Sequence, residues 1–156
     1  RWLSDWSSDV CSSDLAMEET GLPYIISFMI RHNGRLLDGT TIHDAIREID
    51  AATTRKPICY MANCVHPTVL LEAATCKRND TPLVKMRFRG IQANTSPLSP
   101  EELDNRPELL SSDALTLVDD MLRLSKHLDL KIVGGCCGTD GSHLEQIAKR
   151  FSDRLE

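Results

Sequence analysis

The chain has 156 residues, 41% of them hydrophobic and 26% charged, with a net charge of −5 and six cysteines. That is enough for one domain with a sizeable core, in an ordinary soluble composition. An acidic balance without a basic block argues against nucleic acid, and no apolar run approaches the ~18 residues of a membrane span. No secretory signal leads the chain, which points to a cytoplasmic location and turns the cysteines toward metal or free thiols rather than disulfides.

Residues 1–15 read RWLSDWSSDVCSSDL, with Ser-Ser-Asp twice and both tryptophans of the chain. Neither a helical nor a strand period organises them. They resemble translated sequencing-adapter sequence and are set aside as a non-native or disordered leader, so Cys11 receives no role. The domain proper is residues 16–156.

Ala16 to Thr20 predicts the last turn of a helix, with Gly21 at its C-cap. Tyr24 to Ile30 predicts a buried strand. Thr41 to Ala52 predicts a helix capped by Thr41 and Asp44, with Ile42, Ala45, Ile46 and Ile49 on its inner face. Pro57 to Cys64 is the next strand, and His66-Pro67 opens a helix that buries Val69, Leu70 and Ala73. Leu83 to Ala93 predicts a third strand, in which Lys85, Arg87 and Arg89 alternate with Met86 and Phe88. Asn94 to Leu110 predicts a long loop. Ser112 to His127 is a helix with Leu115, Val118, Met121 and Leu122 in register. Lys131 to Gly135 is a fourth strand. Ser142 to Leu155 is a last helix, capped by Ser142 and Glu145, with Leu144, Ile147, Ala148 and Phe151 inward.

Four strand–helix units argue for a parallel α/β arrangement, read as a partial (β/α)₈ TIM barrel; a four-stranded doubly wound sheet is the alternative. In a barrel the carboxyl ends of all strands share one face. Cys64 ends one strand, and Cys136-Cys137 end another. Adjacent cysteines close a strained ring if they pair with each other. Two thiolates at one point and a third from elsewhere suit a tetrahedral zinc with one open position. Gly134, Gly135 and Gly138 let the backbone bend and approach a ligand. Asn63 and Asn94 stand at the same level, with amides to orient a ligand or support a thiolate.

Other residues carry plainer readings. Cys59 and Cys76 are core or incidental thiols. His66 starts a helix, as does His143; His32, His43 and His127 show no pattern. The Lys85, Arg87, Arg89 alternation reads as a solvated or cross-strand face rather than an anion site. Glu101-Glu102 has no partner at acid–base spacing.

The segments Met61-Ala62-Asn63-Cys64 and Gly134-Gly135-Cys136-Cys137-Gly138-Thr139, with Asp38-Gly39-Thr40-Thr41 after Ser27-Phe28, resemble the zinc motifs of the homocysteine S-methyltransferase family. The resemblance spans residues 16–156 and implies strands five to eight of an eight-stranded barrel. It implies zinc on Cys64, Cys136 and Cys137, with the fourth position left for the homocysteine sulfur. The implied reaction moves a methyl group to that thiol and yields methionine, with no catalytic side chain beyond the zinc ligands. The donor stays open among S-methylmethionine, S-adenosylmethionine, betaine and methyl-folate. One departure is Asp140-Gly141, where the family usually has Thr-Pro or a similar pair. The family's glycine-rich first strand and the acidic residues of strands one and four have no counterpart here. The chain by itself is therefore expected to be inactive and to self-associate through open barrel edges. Two alternatives are a non-catalytic zinc-binding half-barrel and the homocysteine domain of a cobalamin-dependent methionine synthase. The end at Glu156, soon after the last helix, favours a single-barrel form over the latter.

Overall fold

A computed structural model describes residues 16–98 and 113–152. The leader at 1–15, the Glu101-Glu102 pair and the far part of the loop expected at 94–110 lie outside the described residues. Four strands, β1 (Ile26–Phe28), β2 (Tyr60–Val65), β3 (Phe88–Ala93) and β4 (Ile132–Gly135), form one sheet in chain order. Every neighbouring pair is parallel. A doubly wound sheet changes direction at a switch point. Among the described residues this sheet has none, and its order is consistent with a partial barrel.

Among the described residues the strands are connected and covered by α1 (Ile42–Ala52), α2 (Pro67–Thr75), α3 (Pro82–Arg87), α4 (Ala114–His127) and α5 (Gly141–Ser152). Packing links α1 to α3, α2 to α4 and α4 to α5. No helix among the described residues is long and apolar enough to cross a membrane.

The local rules of the sequence account for most ends. Gly21 takes φ +71°, and its N–H closes on the Glu18 carbonyl, as a C-cap glycine does. Thr41 caps α1 by accepting from the Asp44 N–H, and its hydroxyl meets the Asp44 carboxylate at 2.7 Å. Ile42, Ala45, Ile46 and Ile49 are buried as expected. His66 caps α2, with Pro67 at the first helical position.

Three readings are corrected. The strand expected from Leu83 begins only at Phe88, because Thr81 accepts from the Val84 N–H and Pro82 starts the short helix α3. Lys85 and Arg87 fall in the last turn of that helix, where cations suit the carbonyl end. On α4 the cap is Asp113, and the buried face is Leu117, Val118, Met121, Leu124 and Ser125 rather than one including Leu115, which is exposed. On α5 the amide groups of Ser142 and His143 donate to the Asp140 carboxylate, so Asp140 caps the helix in place of Ser142. Leu144 stays exposed while His143 and Ile147 are buried.

The core lies between sheet and helices. Ile26, Phe28, Tyr60, Ala62, Phe88 and Ile91 from the strands meet Ile46, Leu70, Val118 and Met121 from the helices. At the amino ends of the strands, Arg87 forms a bidentate pair with Asp50, which also accepts from the Tyr60 hydroxyl. Lys85 pairs with Asp80 and Arg89 with Asp129. The three alternating cations therefore neutralise three separate carboxylates and form no anion site. On the opposite face of the sheet Ser27 and Gln92 are exposed, and Ile25 and Met29 are more than a third exposed.

Candidate metal centre

The carboxyl ends of β2 and β4 bring Cys64, Cys136 and Cys137 together. Strand alternation would send residue 64 to the helix side with Tyr60 and Ala62. Instead the pairing with β3 runs Asn63 to Gln92 and then Val65 to Ala93, skipping Cys64. Val65 takes the core position, and Cys64 becomes an extra, bulged residue at φ +55°. Bulges are rare between parallel strands, and they re-aim a side chain. A left-handed backbone at a residue other than glycine costs about 1–3 kcal/mol, so the surrounding structure has to impose it.

The second thiol pair is held by its backbone. Cys136 donates its N–H to the Ala93 carbonyl at 2.7 Å, and the Thr139 hydroxyl donates to the Cys136 carbonyl at 2.7 Å. The Thr95 N–H donates to the Cys137 carbonyl at 3.2 Å. Gly138 turns at φ +79°, and a Cβ there would run into the Thr95 hydroxyl. A Cβ on Gly135 would run into the Thr139 side chain. Gly134 has open space where a Cβ would stand.

The three sulfurs lie within 4.8 Å of one another. Cys64 Sγ is 3.3 Å from Cys137 Sγ, which is 3.9 Å from Cys136 Sγ. A zinc with bonds of about 2.3 Å needs tetrahedral sulfur edges of about 3.8 Å, and these separations bracket that length. They exceed the ~2.05 Å of a disulfide, and all three thiols are free. The set therefore fits a thiophilic divalent metal. Burial, then hydrogen bonds with the Cys137 and Cys136 thiols, pushes the Cys64 thiol from 9.0 up to about 12. A cation among three sulfurs reverses that preference, because coordination deprotonates a thiol.

Asn63 precedes Cys64 and Asn94 follows β3, and both amides are already engaged. The Ser27 hydroxyl donates to Asn63 Oδ1 at 2.7 Å across β1 and β2. Asn94 is buried; its N–H donates to the Val65 carbonyl, and its Oδ1 accepts from the Ser96 N–H. His66 is occupied as a cap, its Nδ1 accepting from the Thr68 N–H, and burial lowers its pKa. His143 bonds Asp140 at 2.8 Å. Neither histidine belongs to the thiol cluster.

Beside Cys64 opens a cleft of about 320 Å³, walled by Met29, Leu37, Val65, Val69, Pro97 and Leu98 and also lined by Arg31 and His32. The sequence motifs include Ser27 and Thr139 without assigning either a contact, and Thr95 carries no sequence signal. The contacts of Ser27 and Thr95 cross between strands, where no spacing along the chain reports them, whereas Thr139 bonds Cys136 only three residues away.

The family model described as homocysteine S-methyltransferase matches residues 9–151. That match reaches into the stretch set aside as a leader. A search of curated proteins finds no match.

Proposed function

The chain belongs to the homocysteine S-methyltransferase family, and from that premise we propose that it carries the zinc and thiol-activating part of a methyltransferase that converts homocysteine to methionine. The observation that carries the reading is the convergence of Cys64, Cys136 and Cys137 within 4.8 Å. These three would be the zinc ligands. Zinc held there would keep a coordinated substrate thiol ionised at neutral pH.

The chain's own residues supply the rest. The bulge at Cys64 and the Thr95 and Thr139 contacts fix the three thiols before a metal arrives. Asn63, oriented by Ser27, turns its NH₂ end to the substrate, with Asn94 beside it. Gly134 leaves room for the amino acid, and Gly135 lets Thr139 close the loop. The apolar wall beside Cys64 limits water around the nucleophile. These residues correspond to strands five to eight of the family's barrel, in a cytoplasmic protein acting on homocysteine and a small methyl donor. The leader at 1–15 stays outside this assignment, and the domain is 16–156.

A second reading, a zinc-binding half-barrel without turnover, draws on the exposed face of the sheet. The discriminating experiment incubates the zinc-loaded chain with homocysteine and each of S-methylmethionine, S-adenosylmethionine, betaine and methyl-folate. Methionine formation that Cys137→Ser abolishes supports methyl transfer. Zinc binding with no methionine from any donor selects the half-barrel reading for this chain.

A further inference from the structure

We propose that a second cleft, lined by Arg35, Lys77 and Arg78, binds an anionic group bearing phosphate or clustered carboxylate oxygens. The cleft has a volume of about 300 Å³ and shares Asn33 with the cleft beside Cys64. Its three cations come from two separate loops, and no carboxylate lines it. The ion pairs among the described residues pass all three cations by.

The two loops are fixed on each other. Asn79 is fully buried, and its Nδ2 donates to the Gly34 carbonyl at 2.8 Å and to the Ala73 carbonyl at 2.9 Å. Its Oδ1 accepts from the His43 N–H. Gly34 turns at φ +74° against Cys76 and Ala73, where a Cβ would sit 3.4 Å from each. Arg35 is thereby held near Lys77 and Arg78, and all three cationic residues line one cleft on a chain of net charge −5. An anion offsets the mutual repulsion that this arrangement imposes.

Local structure does not consume these charges. Asp44 feels Arg35, but its carboxylate is engaged first by Thr41 and pairs with Arg47. Arg35 commits Nη1 to the Gly39 carbonyl, out of a guanidinium that offers five N–H donors. Lys77 and Arg78 follow the carbonyl end of α2, which favours cations. That end accounts for neither Arg35 nor the cleft. The shared wall at Asn33 would place the anionic tail of a methyl donor here, with its body beside Cys64. That placement rests on the methyl-transfer reading; the anion site does not.

The test is calorimetric titration of the full chain at low salt with pyrophosphate and, separately, with triglutamate. Zinc content is measured on the same samples. The expected result is saturable binding that weakens about tenfold for each cation removed in Arg35→Gln and Arg35→Gln/Arg78→Gln. Rising salt also weakens it, and Lys149→Gln, on the exposed side of α5, leaves it unchanged. Tighter pyrophosphate binding identifies a phosphate ligand; tighter triglutamate binding identifies a polycarboxylate tail. Should the double variant lose its circular dichroism, Lys77→Gln carries the comparison. Absence of binding by both probes, or equal weakening by Lys149→Gln, overturns the proposal. Anion binding without zinc binding leaves this site standing and removes the methyl-transfer reading alone.

Discussion

Cys64 carries a strain that its neighbours do not. Its φ of +55° lies where only glycine rests without cost. In the metal-free chain, replacing it by glycine relieves the strain, while alanine keeps it. Cys64→Gly is expected to be about 1 kcal/mol more stable than Cys64→Ala in urea unfolding. Equal stabilities would show that the bulge is not strained. The three cysteines were legible in the sequence because each closes an apolar run among small residues. The bulge was not legible, since it exists only in the register of β2 against β3. The clasp of Thr95 on the Cys137 carbonyl was hidden for the same reason.

At the scale of elements, side-chain caps set most boundaries. Thr41 and His66 were readable because the cap and the first turn are adjacent in sequence. Thr81-Pro82 gives the same signal, but the alternation from Lys85 to Arg89 imitates a strand and masked it. Two acidic caps make the fold sensitive to acid. The Thr116 hydroxyl, then the Thr116 and Leu115 N–H groups, hold the Asp113 carboxyl below its ordinary range. The Ser142 hydroxyl and the His143 ring do the same for Asp140. A carboxyl whose pKa falls on folding adds stability that is present above its unfolded value near ~4. That stability is lost as pH falls toward the depressed folded value. Asp113→Asn keeps a capping oxygen and removes the titration. Thermal unfolding between about pH 5 and pH 3 is therefore expected to shift less in Asp113→Asn than in the wild type. Equal shifts would assign the acid sensitivity elsewhere.

At the scale of the molecule, the parallel order β1-β2-β3-β4 was legible from the strand–helix alternation, whereas which face of the sheet is covered was not. β1 and β4 each pair on one side only among the described residues, and Ile25 and Met29 are partly open to solvent at the two ends of β1. Unpaired strand edges next to apolar surface template association. The 156-residue chain expressed by itself is expected to sediment as dimers or larger species, and a monodisperse monomer across the concentration range would contradict that. The central claim is that Cys64, Cys136 and Cys137 jointly hold one metal ion. Its most direct test is cobalt(II) substitution followed by absorption spectroscopy, with metal content measured in parallel. The account predicts one tightly bound ion per chain, an intense thiolate-to-cobalt charge-transfer band, and loss of both in each single Cys→Ser variant. Binding that survives in any of the three variants, or a chain that takes up no cobalt or zinc, would contradict it.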